Sequence, residues 1–113
     1  MTDQINTPRA ALLARCSSEA NVCDQILKLK QLAAGNYVVG EDDIYGDHIG
    51  GGSALTERPG LQRLMRTIEN GKTKYDVVLV QDTSRVGRTP EQVQEVVDWF
   101  TGKGVPVRFV QAV

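Results

Sequence analysis

A mostly parallel α/β sheet with helices on both faces is the fold class that this 113-residue chain predicts, and three observations carry it. Short apolar runs at residues 10–14, 77–80 and 105–110 alternate with segments whose apolar residues recur at helical spacing. Glycines stand where the helical patterns stop. The length fits one hydrophobic core and therefore one domain.

The first run, Ala10-Ala11-Leu12-Leu13-Ala14, reads as a buried strand. Beyond Ser17-Ser18, residues Val22, Ile26, Leu29 and Ala33 mark one face of a helix that Gly35 ends. Tyr37-Val38-Val39 and Ile44-Tyr45 bracket the acidic run Glu41-Asp42-Asp43, and together predict a second, irregular strand. A mobile loop is expected over residues 46–56, where Gly50-Gly51-Gly52-Ser53 permits many backbone conformations. Pro59 suits the first turn of a helix whose face is Leu61, Leu64, Met65 and Ile68, closed by Asn70-Gly71.

Residues 76–81 form the clearest strand. Thr89-Pro90-Glu91-Gln92 has the form of a capping box with proline at the first helical position, so a helix starts just past Arg88 with Val93, Val96, Val97 and Phe100 as its buried face. Gly102 and Gly104 end it. Val105-Pro106-Val107-Arg108-Phe109-Val110 is then a last strand with its proline at the start or on an edge. Right-handed crossovers between these strands suit a flavodoxin-like order 2-1-3-4, in which ligand sites lie beyond the carboxyl ends of the strands.

Residues 1–8 read as a flexible, polar lead-in and residues 9–113 as the domain. No apolar stretch follows a basic start as in a signal peptide, and no run is long enough to span a membrane. A soluble, cytoplasmic protein is expected. Cys16 and Cys23 have neither zinc-knuckle nor redox C-x-x-C spacing and are expected to be reduced. A net charge of −1 argues against holding DNA by bulk electrostatics, so any nucleic-acid contact must come from a local arginine cluster or from a further domain.

Such a cluster is present. Ser84-Arg85-Val86-Gly87-Arg88 follows the strongest strand, and Arg15-Cys16-Ser17-Ser18 follows the first. In the order 2-1-3-4 these two strands are neighbours, which brings Ser17 to Arg85 and Arg88 at one edge, with Asp47 and Arg58 alongside. A hydroxyl facing fixed guanidiniums suits phosphoryl chemistry, because the planar fork donates to two phosphate oxygens and stays charged. The competing readings are an exposed salt-bridging loop for the arginines and helix capping for Ser17 or Ser18.

Four stretches in order, Ala-Arg-Cys-Ser-Ser at 14–18, Asp47, Glu-Arg-Pro-Gly-Leu at 57–61 and Ser-Arg-Val-Gly-Arg at 84–88, resemble the N-terminal catalytic domain of the serine site-specific recombinases, the resolvase and invertase family. The resemblance covers residues 10–110 and implies a resolvase-like fold. It implies that Ser17 is a nucleophile that attacks a phosphodiester of double-stranded DNA to form a 5′-phosphoserine link, with Ser18 left as the capping candidate. Arg15, Arg58, Arg85 and Arg88 match arginines that bind the scissile phosphate, and Gln25 matches a helix glutamine near the site, with an exposed polar residue as the alternative. The resemblance further implies a dimer that becomes a synaptic tetramer, chemistry without metal or cofactor, and a truncated domain whose relatives continue into an oligomerisation helix and a DNA-binding region.

Two positions depart from the family pattern. Leu13 replaces a frequent tyrosine, which removes any phenol there. Ser84 replaces a frequent aspartate, so Asp82 or Asp47 is expected to supply the carboxylate that orients Arg85 and Arg88. Arg63 and Arg66 have no family match and are expected to solvate the outer face of their helix. His48-Ile49-Gly50-Gly51-Gly52 has the look of a hydrolase oxyanion loop, but the G-x-S-x-G elbow is missing. Glu41, Asp42, Asp43 and Asp47 are expected to form a solvated acidic loop rather than a Mg²⁺ site. A non-catalytic module that binds a phosphorylated small molecule or a protein partner at the same edge is the alternative function.

Overall fold

The computed structural model describes residues 7–15, 19–47 and 58–110. Cys16, Ser17, Ser18, Glu57 and the expected loop from His48 to Thr56 lie outside these residues, as do the side chains of Val22 and Cys23. Four parallel strands, β1 (Ala10–Arg15), β2 (Ile44–Asp47), β3 (Val77–Val80) and β4 (Val107–Phe109), pair in the order β2-β1-β3-β4. Leu13 stands opposite both Tyr45 and Val80, and Arg15 opposite Asp47. The carboxyl ends of the three inner and left-hand strands therefore share one edge of the sheet.

Strand alternation divides the core between the two faces. Ala11, Leu13, Tyr45, Val78 and Val80 pack with Leu61 and Leu64 of α2 (Pro59–Glu69) and with Val96 and Phe100 of α3 (Pro90–Gly102). Ala10, Leu12, Val77 and Leu79 pack instead with Leu29 and Ala33 of α1 (Glu19–Ala33). Both faces are buried, so β1 and β3 are continuous apolar runs rather than alternating ones. The predicted stops at Gly35 and Gly71 have φ of 83° and 71°, the left-handed region that favours glycine.

The second strand is shorter and later than expected. Val38 forms only an isolated parallel bridge with Arg9, and Val38 N–H donates to the Pro8 carbonyl. The chain then folds into a 3₁₀ turn, Glu41–Asp43, because the Asp43 carboxylate accepts the Gly40 N–H at 2.8 Å. Strand pairing resumes at Ile44 and extends through Gly46 and Asp47, two residues into the expected loop.

The acidic run is also not a uniformly solvated loop. Glu41 and Asp42 are exposed, whereas Asp43 and Asp47 are buried at opposite ends of β2. Asp43 accepts two bonds of 2.9 Å from the Arg9 guanidinium and one of 2.8 Å from the Tyr75 hydroxyl, which in turn meets Tyr45 OH at 2.8 Å. Arg63 likewise does more than solvate α2. It lies 4.3 Å from the Tyr45 ring centroid and donates to the Ile44 carbonyl, while Arg66 is exposed as expected.

Candidate active site

Arg15 ends β1, and the turn after β3 comes to meet it. Arg15 Nη2 and Nε donate to the Ser84 carbonyl at 2.9 and 3.3 Å, and Arg85 Nη1 donates back to the Arg15 carbonyl at 3.3 Å. Two arginines thus cross-link the neighbouring strand ends reciprocally. Gln25, on α1, is buried rather than an exposed helix residue. Its Nε2 donates to the Arg15 carbonyl at 2.9 Å and its Oε1 accepts the Arg15 N–H at 3.2 Å, so one amide holds both backbone groups at the strand end.

Arg58 is the largest of the fully buried side chains, at 2 % exposure. It occupies the N-cap position of α2 without capping the helix through its own side chain. Asp47 does that instead, accepting Gly60 N–H at 2.6 Å and Leu61 N–H at 3.0 Å while it accepts Arg58 Nε at 3.0 Å. A carboxylate at a helix N-terminus satisfies otherwise unpaired amides and faces the positive end of the helix dipole. The other side of Arg58 reaches the 84–88 turn, where Nη1 donates to the Val86 carbonyl at 2.6 Å. Asp47 therefore fixes Arg58, and Arg58 supports the turn.

Electrostatics at this edge favour an anion. Burial lowers the Arg58 pKa, Asp47 opposes that lowering by charge and hydrogen bond, and the neighbouring Arg15 charge adds to it. Arg58 Nη2 and Arg85 Nε are buried and have no hydrogen-bond acceptor among the described residues. Arg88 is exposed at the start of α3. A phosphate oxygen placed here would accept unused guanidinium donors and relieve repulsion between Arg15 and Arg58.

The expected carboxylate partner of Arg85 and Arg88 takes another form. Asp82 accepts the Ser84 N–H at 2.9 Å and also the Ser84 hydroxyl, so it caps its own 3₁₀ turn, Thr83–Arg85. Asp47 is engaged by Arg58 and α2. Neither carboxylate reaches Arg85 or Arg88. Asp47 acts on the turn only through Arg58, because the buried helix terminus claims its oxygens first.

The Thr89 motif is also rearranged. Thr89 Oγ1 accepts the Gln92 N–H at 3.2 Å as a cap, but the Gln92 side chain passes Thr89 and accepts the Arg88 N–H at 2.7 Å. Sequence reasoning placed Gln92 only in a helix signal and missed this second contact. Its three-residue distance from a cap directly after an arginine was the available clue.

The family model for the N-terminal domain of resolvases matches residues 10–113. The chain belongs to the resolvase N-terminal domain family. It is similar to the Transposon Tn2501 resolvase of Escherichia coli, with 28 % identity over 78 residues, which is 69 % of this chain and 38 % of that protein. Among solved structures it is similar to the C-terminal catalytic domain of ISC1926 TnpA, an IS607-like serine recombinase, with 29 % identity and a TM-score of 0.75. That match covers 93 % of this chain and 71 % of the other. A resolvase family site-specific recombinase from Streptococcus pneumoniae has 25 % identity and a TM-score of 0.76, covering 91 % of this chain and 72 % of its own. The chain thus spans well under half of the curated resolvase it matches, and about seven tenths of these two structures. The expected family and the expected sheet order both hold.

Of the expected site residues, Arg15, Gln25, Asp47, Arg58 and Arg85 form one connected network, and Arg88 adjoins it on the same turn. Ser17 follows Arg15 by two positions and lies outside the described residues.

Proposed function

We propose that this chain is the catalytic domain of a DNA site-specific recombinase, in which Ser17 is the nucleophile and Arg15, Arg58, Arg85 and Arg88 bind the reacting phosphate. The observation that carries the reading is the convergence of these arginines at the carboxyl edge of β1 and β3, two of them with buried donors that no described group accepts. The Ser17 oxygen attacks the DNA phosphorus, the bond from phosphorus to the 3′ oxygen breaks, and the departing oxygen takes up a proton. The product is a 5′-phosphoserine link and a free 3′-hydroxyl. Rejoining reverses the step with a new 3′-hydroxyl, so phosphodiester energy is conserved in the protein–DNA ester.

Guanidiniums preorganised around the phosphate supply the electrostatic stabilisation that the transition state requires. Gln25 and Asp47 do not touch the phosphate in this reading; they position Arg15 and Arg58. Double-stranded DNA is the substrate, and the working form is a homo-oligomer, a dimer that pairs into a synaptic tetramer.

The test is cleavage of nicked duplex DNA by the full-length protein in excess chelator. The expected product is a protein-linked 5′ end beside a free 3′-hydroxyl, absent with Ser17→Ala. Cleavage that leaves no protein-linked end would overturn the reading. Binding of a phosphorylated small molecule with no cleavage at all would favour a non-catalytic module.

A further inference from the structure

Arg88 differs from the other three arginines in how it is held. Arg15, Arg58 and Arg85 each donate a side-chain bond to a backbone carbonyl, at Ser84, Val86 and Arg15 respectively. Arg88 is exposed, and its side chain has no hydrogen-bond or ion-pair partner among the described residues. Its anchor is its own backbone N–H, which donates to Gln92 Oε1 at 2.7 Å.

Gln92 is itself fixed from two further directions. Thr89 Oγ1 accepts its backbone N–H, and Gly87 lies so close that a Cβ there would meet Gln92 Cβ at 2.8 Å and Val93 N at 3.1 Å. The turn from Val86 to Arg88 is therefore gripped at one end by Arg58 and at the other by Gln92. Among the described residues, the Arg88 backbone N–H is tied to α3 through the Gln92 side chain.

We infer that Gln92 is a positioning residue for Arg88, fixing the backbone from which this guanidinium reaches the reacting phosphate; the inference rests on the phosphate-binding reading above. Because the Arg88 side chain has no anchor among the described residues, loss of the Gln92 acceptor leaves the charge in place and blurs its position. Misplacement of a catalytic group lowers the rate of the chemical step more than it lowers binding.

The experiment measures formation of the protein–DNA ester by the full-length protein at saturating nicked duplex, with Gln92→Met, which keeps the side-chain length but has no acceptor, and Gln92→Glu, which keeps one. Gln92→Met is expected to slow ester formation roughly 3- to 10-fold, the worth of one neutral hydrogen bond, with DNA affinity unchanged. Gln92→Glu is expected to restore the rate. In an Arg88→Ala background Gln92→Met is expected to cause no further loss, because its effect passes through Arg88. An unchanged rate in Gln92→Met, or the same fold-loss in the Arg88→Ala background, would overturn the inference. Amide exchange at Arg88 separates this outcome from failure of the functional reading. The amide is expected to be protected in the parent protein, to lose protection in Gln92→Met and to regain it in Gln92→Glu, and unaltered exchange in Gln92→Met would sink the positioning role whether or not any ester forms.

Discussion

The Asp47 carboxylate at the end of β2 bonds to the start of α2. It caps the first turn of α2 and neutralises Arg58, and both partners are buried, at 1 % and 2 % exposure. Gly60 permits this approach, since a Cβ there would come within 2.9 Å of Asp47 Oδ1 and 2.8 Å of the Gly46 carbonyl. Replacing Asp47 by asparagine keeps the shape but leaves Arg58 charged, buried and unpaired. Breaking a buried pair from one side costs about 3–5 kcal/mol, so urea unfolding of Asp47→Asn should show a loss of that order. A loss within the range of an exposed ion pair, about 0–1 kcal/mol, would show that Arg58 finds solvent or another anion and that the pairing is incidental.

Among the elements, the amino-terminal end of the sheet is closed by a polar network quite separate from the arginine site. Arg9 before β1, Asp43 before β2 and Tyr75 before β3 meet there, with Tyr45 packed edge-on against Tyr75 at 6.2 Å. Burial raises the Asp43 pKa, but bonds from Arg9, the Gly40 amide and Tyr75 outweigh it, and the net shift is below the ordinary 3.8. Asp43 therefore contributes stability that is complete above its unfolded pKa and is lost as pH falls through the lower folded value. Burial raises the Tyr75 pKa, reinforced by its bonds with Tyr45 and Asp43, so its contribution is complete below the ordinary 10.0 and fades as pH rises beyond it. Stability measured against pH should fall on both limbs, and Asp43→Asn should flatten the acid limb. An acid limb as steep in Asp43→Asn as in the parent would assign the loss to other carboxylates.

This network also shows why part of the fold could not be read from the sequence. The first and third strands, the helix stops at Gly35 and Gly71 and the Thr89 cap are local patterns, and each stands where the sequence pattern places it. Asp43 lies in an acidic run that looks solvated, and its partners Arg9 and Tyr75 are 34 and 32 positions away. Asp47 follows a glycine and reads as loop, although its carboxylate is required at a helix start thirteen residues on. Spacing offered one clue: Asp43 and Tyr45 are two apart, and both bond to the Tyr75 hydroxyl. Arg15, Arg85 and the strand order were legible together, because parallel pairing of β1 with β3 brings their carboxyl ends side by side.

At the scale of the whole molecule, a chain of net charge −1 has two buried guanidinium nitrogens without an acceptor among the described residues, Arg58 Nη2 and Arg85 Nε, both at one edge of a four-stranded sheet. Two buried carboxylates, Asp43 and Asp47, fasten β2 at its two ends, and no helix among the described residues is long and apolar enough to cross a membrane. The proposed function seats the reacting phosphate among Arg15, Arg58, Arg85 and Arg88 and makes Ser17, two positions after Arg15, the nucleophile. Trapping the full-length protein on nicked duplex DNA, digesting both components and sequencing the modified peptide by mass spectrometry tests this most directly. The account predicts a nucleotide 5′-phosphate esterified to Ser17; the same modification on any other residue, or a cleaved duplex with an unmodified residue 17, would contradict it.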